Sequence, residues 1–185
     1  MRYPGQFGQA LILTPFNYAK GYAEGVEFSS TYSAAPWSGY LNFAVSQAKG
    51  KNIVSGQSLF GADELAYIAD HYIYLDHDQR YSLSAGLTYR FGASRISTDM
   101  IYGSGLRSTP DGAPPNSGKL PSYTNVNLTY VYDWKTTPIG ALETRVGIIN
   151  LFDKSYLLRD GSGVGVGAPQ YGERRTWFAA LSHAF

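Results

Sequence analysis

The chain has 185 residues, enough for one domain with a substantial core. Its formal charge of +1 gives no strong field toward nucleic acid, and the absence of cysteine excludes disulfides and thiolate metal sites. Only 16% of the residues are charged, whereas soluble domains carry about a quarter. No apolar run approaches the roughly 20 residues of a membrane-spanning helix. Any membrane crossing must therefore be made by strands.

Seven segments alternate between apolar and polar residues, the period of two that is typical of a β-strand. In the clearest segment, residues 81–91, Leu83 and Leu87 share one face, whereas Ser84 and Thr88 share the other. The predicted strands, in chain order, are 16–32, 37–49, 81–91, 95–102, 123–134, 142–149 and 176–185.

The connections between these segments alternate in length. Short turns on one rim and long loops on the other are the arrangement of outer-membrane barrels. The short connections are 33–36, 92–94 and 135–140, and the long ones are 50–80, 104–122 and 153–174.

The two faces of the predicted sheet also favour a membrane barrel. The polar face holds mainly small residues with a few charges, as expected of a wet lumen, and aromatic residues bound the apolar face at both ends. The sequence therefore predicts an all-β fold, a transmembrane antiparallel β-barrel segment of about seven up-and-down strands with short periplasmic turns and long extracellular loops. The aromatic residues near the short turns are Tyr32, Trp37, Phe91, Trp134 and Phe185, those near the long loops are Tyr22, Tyr81, Tyr102 and Trp177, and the lumen charges are Glu27, Arg90, Asp99, Glu143 and Arg145.

Three stretches resemble one known family, the TonB-dependent receptors of Gram-negative outer membranes. They are LPSYTNVNLTYVYDW (120–134), the C-terminal region 146–185 and, more weakly, YAEGVEFSSTY (22–32). The most specific feature is NLFDKSY followed by a glycine-rich loop, QYGERR and a terminal Phe. The resemblance covers essentially the whole chain as the last part of a barrel.

The resemblance implies a barrel of about 22 strands with a plugged lumen, located in the cell outer membrane. Such a receptor imports a scarce nutrient, for example a ferric siderophore or similar iron chelate, and contacts TonB through its plug domain. It implies no enzyme activity and no cofactor. We expect residues 1–185 to be the C-terminal portion of the barrel, with the plug domain and any secretory signal on sequence absent from this chain.

The last predicted strand carries a candidate signal for the barrel assembly machinery, as the resemblance implies. Its pattern is Trp177, Leu181 and Phe185, with apolar residues alternating back from the terminal aromatic. His183 departs from the hydrophobic residue usual at its position. The alternative is that Phe185 is only an interfacial anchor, like other aromatic residues in contact with outer-membrane lipid.

Two long loops carry candidate ligand-binding residues. Tyr67, Tyr72 and Tyr74 either stack on an aromatic ligand or pack on neighbouring loops. Arg159 and Tyr171 either meet an anionic small-molecule chelate or belong to a loop whose glycines simply permit tight turns. The acidic and histidine residues of 70–78 match no compact metal site, so we expect no metal.

Three other hypotheses remain open. The chain is a small stand-alone outer-membrane barrel, an adhesin or enzyme, if residues 5–14 form an eighth strand. It is a soluble ligand-binding barrel if its apolar face points inward. It is a non-functional truncated receptor if the reading frame has decayed. A hydrolase is disfavoured because the register places no histidine beside a lumen serine.

Overall fold

The structure is a computed structural model that describes residues 16–57, 60–134, 137, 140–164 and 168–183. The elements in chain order are β1 (Tyr18–Ala34), β2 (Trp37–Ile53), α1 (Ala62–Asp70), β3 (Ile73–Tyr74), β4 (Tyr81–Phe91), β5 (Ser94–Gly103), β6 (Arg107–Ser108), β7 (Gly118–Lys119), β8 (Tyr123–Trp134), β9 (Leu142–Ile149), β10 (Leu157–Asp160), β11 (Pro169–Tyr171) and β12 (Thr176–His183).

Seven long strands form one antiparallel sheet in the order β1-β2-β4-β5-β8-β9-β12, and the short β3 extends it beside β2. Each long strand lies beside the previous one, so the predicted up-and-down topology and all seven predicted strands are confirmed. β1 is 17 residues long, as predicted, but is displaced by two residues and ends at Ala34. β2 is also 17 residues long and extends beyond its predicted end to Ile53. The sheet is open: among the described residues, its edge strands β1 and β12 each pair with one neighbour.

The register makes both faces continuous across the sheet. Val26 lies opposite Val45, which lies opposite Tyr81, and this row stays on the apolar face. Because side chains alternate, the intervening polar residues form a second continuous face. Large apolar side chains remain exposed, with Val26 at 73% and Leu181 at 68% of their accessible surface. The predicted division into two faces is confirmed.

Aromatic side chains on the polar face lie over glycines of the neighbouring strand. Tyr40 is directly opposite Gly86, and Phe178 is directly opposite Gly147. A Cβ atom at Gly86 would lie 2.4 Å from the Tyr40 ring, and one at Gly147 would lie 2.5 Å from the Phe178 ring. These glycines are therefore required by close cross-strand packing, because each ring occupies the space of the missing side chain.

The short turns hold the strands at one end of the sheet. β1 and β2 are joined by 35–36, and β4 and β5 by Gly92 and Ala93. Gly92 has φ of +59°, the left-handed conformation that a two-residue hairpin requires. Phe185 and the candidate strand 5–14 lie outside the described residues.

The long connections contain more structure than the sequence predicted. Residues 50–80 were expected to be a loop, but β2 continues into them and helix α1 follows. Glu64 Oε2 accepts a hydrogen bond from the Gly61 amide at the start of the helix. The side chain of Ile68 is fully buried. Tertiary burial thus stabilises a nine-residue helix that would be marginal alone.

The buried apolar core lies at the long-loop end rather than between two sheets. It contains Ile53, Ile68, Ile73 and Val164, and these residues come from strand β2 and from two different loops. In the described part of the chain, no helix is long and apolar enough to cross a membrane.

Candidate functional site

The three long loops pack together above one end of the sheet and are here called the loop platform (residues 54–80, 104–122 and 150–175, apart from 58–59 and 165–167). Asn116 connects all three and is fully buried. Its Nδ2 donates to the Tyr74 carbonyl at 2.8 Å, and its Oδ1 accepts from the Val164 amide at 2.8 Å. Because its donor and its acceptor both have partners, the side chain is buried without a large desolvation penalty.

A second connection in the platform is ionic. Arg107 Nε donates to Asp78 Oδ2 at 2.8 Å, and the other carboxylate oxygen accepts from the Ala48 amide at 2.7 Å. Two cations lie over the Tyr74 ring, with Arg107 Cζ at 3.5 Å and Lys49 Nζ at 4.4 Å from its centroid. These contacts fix the second loop to the sheet.

Asp76 is the buried acid nearest the predicted ligand-binding arginine. Its carboxylate lies 3.4 Å from Arg159 Nη1 and 3.6 Å from His77 Nδ1, and its Oδ2 has no hydrogen-bond partner among the described residues. Burial raises the pKa of Asp76, whereas Arg159 and His77 lower it, and Asp160 raises it. Gly163 allows this approach, since a Cβ there would lie 1.9 Å from Asp76 Oδ1.

The NLFDKSY motif forms a clamp with the distant ERR motif. Asn150 Nδ2 donates to the Glu173 carbonyl at 2.8 Å. Asp153 accepts two hydrogen bonds from the Arg174 guanidinium, at 2.8 and 2.6 Å, and one from the Arg175 amide at 3.0 Å. These bonds hold the pKa of Asp153 below its usual range. The clamp closes the loop between β9 and β12, which accounts physically for the spacing of the two motifs.

The predicted ligand-binding residues occupy three parts of the platform. Tyr67 stacks on the His71 ring with centroids 4.2 Å apart, and the Tyr74 ring contacts the cations of Arg107 and Lys49. Tyr72 is 45% exposed and contacts Tyr22 on the outer face of the sheet. Arg159 and Tyr171 lie on the β10–β11 hairpin, where Tyr171 is 65% exposed. The structure thus brings Arg159 and Tyr171 onto one hairpin and leaves the three tyrosines apart from it.

The histidines of the first loop have separate surroundings. His71 Nδ1 lies 3.0 Å from the Tyr67 carbonyl, and His77 contacts Arg159. Among the residues that the structure describes, no three His, Cys, Asp or Glu side chains are grouped closely enough to hold a metal ion.

The polar face of the sheet borders a cavity and carries a network of ion pairs. A cavity of about 680 Å³ opens on this face and is bounded by Glu27, Ser46, Gln79 and Ser82. Nearer the short turns lie the paired charges: Arg95 binds Asp133 at 3.1 Å and also contacts Glu143, which binds Arg145 at 3.0 Å. Arg95 on β5 thus connects β8 and β9 through Asp133 and Glu143, whereas Arg145 pairs with Glu143 within β9.

On β12, the predicted assembly residues lie on the outer face. Trp177 and Leu181 are 71% and 68% exposed, and both belong to the apolar row that continues from β9. Phe185, the third residue of the predicted signal, lies outside the described residues.

Sequence reasoning missed the buried asparagines. Asn116 follows two prolines and precedes Ser117 and Gly118, a pattern that predicts a turn. It has φ of +54°, which asparagine tolerates better than most residues. The turn could have been found, but the partners of Asn116, which are 42 and 48 residues away, could not.

The sheet exposes a continuous apolar face bounded by aromatic residues, and its polar face borders a cavity. Short turns and long loops alternate between its strands. These are the features of a membrane-spanning β-barrel wall. The family described as "TonB dependent receptor-like, beta-barrel" matches residues 2–151. The chain belongs to this family. A comparison with curated proteins gave no match.

The family match includes six of the seven long strands, from β1 to β9. The ERR half of the clamp and the last strand, β12, follow the matched region. Members of this family are nutrient transporters of the Gram-negative outer membrane and not enzymes.

Proposed function

We propose that this chain forms the C-terminal wall and part of the mouth of a TonB-dependent receptor that imports a ferric siderophore or similar iron chelate. The observation that carries the proposal is the family membership of a sheet whose polar face borders a cavity and which is joined to a packed loop platform. In this arrangement the apolar face contacts outer-membrane lipid, the polar face lines the lumen and the loop platform lies outside the cell.

The β10–β11 hairpin supports the chelate as ligand. Arg159 is a cation at the platform surface, with 20% of its side chain exposed, and Tyr171 is a largely exposed aromatic ring on the paired strand. An anionic chelate with aromatic groups would bind to this combination through charge and stacking. Tyr72 provides a second exposed ring, whereas Tyr67 and Tyr74 contribute by holding the loops together.

The remaining partners follow from the same proposal. The exposed residues Trp177 and Leu181 on β12, together with Phe185 of the same sequence pattern, are the signal that the barrel assembly machinery would bind. TonB would act through the plug domain of the complete receptor. Among the described residues, β1 and β12 each have one unpaired edge. This supports additional strands in the assembled barrel, because every unpaired backbone group costs several kcal/mol in lipid.

An uptake experiment tests the transport proposal. Cells whose gene for this chain is deleted, and cells with it restored, are supplied with radiolabelled iron as ferric chelates or as free ferric citrate. We expect restoration to increase uptake of at least one chelate. Arg159→Ala and Tyr171→Ala should each reduce this uptake, whereas Lys119→Ala, a loop control, should not. If iron uptake is unchanged and the uptake of another nutrient is altered, the assignment of iron as cargo is contradicted, but the transport function is not.

An immunoblot distinguishes a complete receptor from a stand-alone barrel and from a truncated product. An antibody to residues 157–175 is applied to the outer-membrane fraction. A band several times heavier than 20.3 kDa would support the proposal that the chain is part of a complete receptor. A band near that mass would favour a stand-alone barrel, and no band in the membrane would favour a truncated, non-functional product.

A further inference from the structure

Three lysines lie together on the outer face of the sheet, at the long-loop end of β1 and β2. Lys20 is directly opposite Lys51, and Lys49 is directly opposite Tyr22 on the same face. Lys20, Lys49 and Lys51 are here called the lysine patch. None of the ion pairs found among the described residues involves them. Like charges directly opposite each other destabilise a strand pair, so an anion bound to both lysines would stabilise this arrangement.

The rest of the outer face makes the lysine patch distinctive. On β4, β5, β8, β9 and β12, the described outward positions contain no Asp, Glu, Lys or Arg. The one acid on this face of β1, Glu24, already accepts a hydrogen bond from Gln47. The lysine patch is therefore a local concentration of positive charge on an apolar surface whose other described strand positions include one charged residue, Glu24.

In the proposed orientation, the lysine patch lies at the level of the membrane interface opposite the short turns. Lys49 lies twelve residues beyond Trp37, which marks the aromatic row at the short-turn end. At about 3.3 Å per residue and a tilt of about 40°, twelve residues rise about 30 Å. The outward apolar band of such barrels is about 25 Å tall. Lys49 thus lies just past the hydrocarbon, where the headgroups begin.

Aromatic rings support the lysine side chains at this level. Lys49 Nζ lies 4.4 Å from the Tyr74 ring centroid, and Lys51 Nζ lies 5.3 Å from that of Tyr72. The Tyr72 ring also contacts Tyr22 with centroids 5.5 Å apart. Tyrosines beside lysines are the side chains that anchor proteins at the membrane interface.

We infer that the lysine patch binds the phosphate of a lipid headgroup in the outer leaflet. The anions that face a barrel wall at this height are lipid phosphates, whose oxygens can accept hydrogen bonds from both opposed ammonium groups. This inference rests on the membrane orientation proposed above. Such a lipid would be held beside β1 and β2, the strands that also carry part of the loop platform's core.

Equilibrium binding of fluorescent phosphatidic acid to the full chain, in dodecyl maltoside micelles, tests this inference. We expect the chain to prefer phosphatidic acid to phosphatidylcholine. The double variant Lys20→Gln, Lys51→Gln should bind it roughly 20- to 30-fold more weakly, since one lysine near an anionic surface contributes about fivefold. Lys20→Arg, Lys51→Arg should retain binding because it keeps both charges.

The matched control is Lys119→Gln, Lys154→Gln, which removes the same charge from the loops and should bind like the unchanged chain. Equal loss in this control, or equal affinity of the unchanged chain for both lipids, would overturn the inference. Competition by millimolar inorganic phosphate as effective as the lipid would also overturn it, by identifying a free-anion site. If the unchanged chain is missing from carbonate-washed membranes, the membrane orientation itself fails; if it is present but shows no lipid preference, only the lipid site fails.

Discussion

At the residue scale, polar side chains buried in loops determine how the mouth is built. Asn116 and Asn150 are 0% and 1% exposed, and each bonds to backbone groups far along the chain. Such a residue fixes the distance between two segments, as a packed core would. Because hydrogen bonds are directional, it also fixes their relative orientation. The loops can therefore hold Arg159 and Tyr171 at the surface without a large apolar core beneath them.

Asn116→Ala should loosen the loop platform. It leaves the Val164 amide buried without an acceptor, a loss of about 1–3 kcal/mol. Because cleavage follows the population of the open form, trypsin should cut after Arg159 about tenfold faster. Asn42→Ala, which removes one exposed hydrogen bond to Ser84, is the control. Equal cleavage rates for the two variants would show that Asn116 does not hold the loops together.

The clamp should make stability depend on pH in acid. The folded pKa of Asp153 is lowered by Arg174 and Arg175, whereas its unfolded pKa is about 3.9. The contribution of Asp153 to the free energy of unfolding is therefore complete above a pH of about 4. It is lost as the pH falls through the lower folded pKa. In urea unfolding, the stability difference between the unchanged chain and Asp153→Asn should shrink below pH of about 4. A difference that stays constant with pH would contradict this assignment.

At the scale of the element, each strand has one apolar and one polar surface. Ala85 lies between Leu41 and Met100 on the outer, apolar face, whereas its neighbour Ser84 lies on the polar face with Asn42 and Ile101. In the proposed orientation the outer side chains would contact lipid tails, and the groups on the polar face would bond to one another or to water. A charged residue introduced at two consecutive positions of one strand should therefore have very different effects on stability.

Ala85→Arg should destabilise the membrane-inserted chain by about 2–4 kcal/mol, the cost of an arginine facing lipid near the bilayer midplane. Ser84→Arg points to the lumen side and should cost less than about 1 kcal/mol. Urea titration from phosphatidylcholine vesicles, followed by tryptophan fluorescence, measures both values. Equal destabilisation would mean that the two faces do not meet different solvents.

At the scale of the whole molecule, the open sheet and the family membership together favour insertion in a membrane. The apolar face is too extensive to remain in water, and among the described residues nothing covers it except at the long-loop end. A soluble ligand-binding barrel would instead pack that face inside. The observed exposure of that face opposes such a fold.

The chain should therefore remain in the membrane pellet after a carbonate wash. Carbonate removes proteins held only by surface charge, whereas a strand-spanning segment stays because its apolar face cannot leave lipid. Immunoblotting of pellet and supernatant measures this. Recovery in the supernatant without detergent would contradict the membrane assignment and favour the soluble alternative.

The sequence by itself determined the strands, their faces and the alternation of short and long connections. These depend on a period of two and on local turn residues. Both signals can be read within a window of about ten residues. Only the tertiary structure decided how the long loops are built: helix α1, the bonds of Asn116, the pairing of Asp76 with Arg159, and the aromatic rings over Gly86 and Gly147. Each of these joins residues from different strands or loops, or, for α1, depends on burial against them. A local pattern cannot indicate such partners, because they meet only after the sheet has brought the loops together.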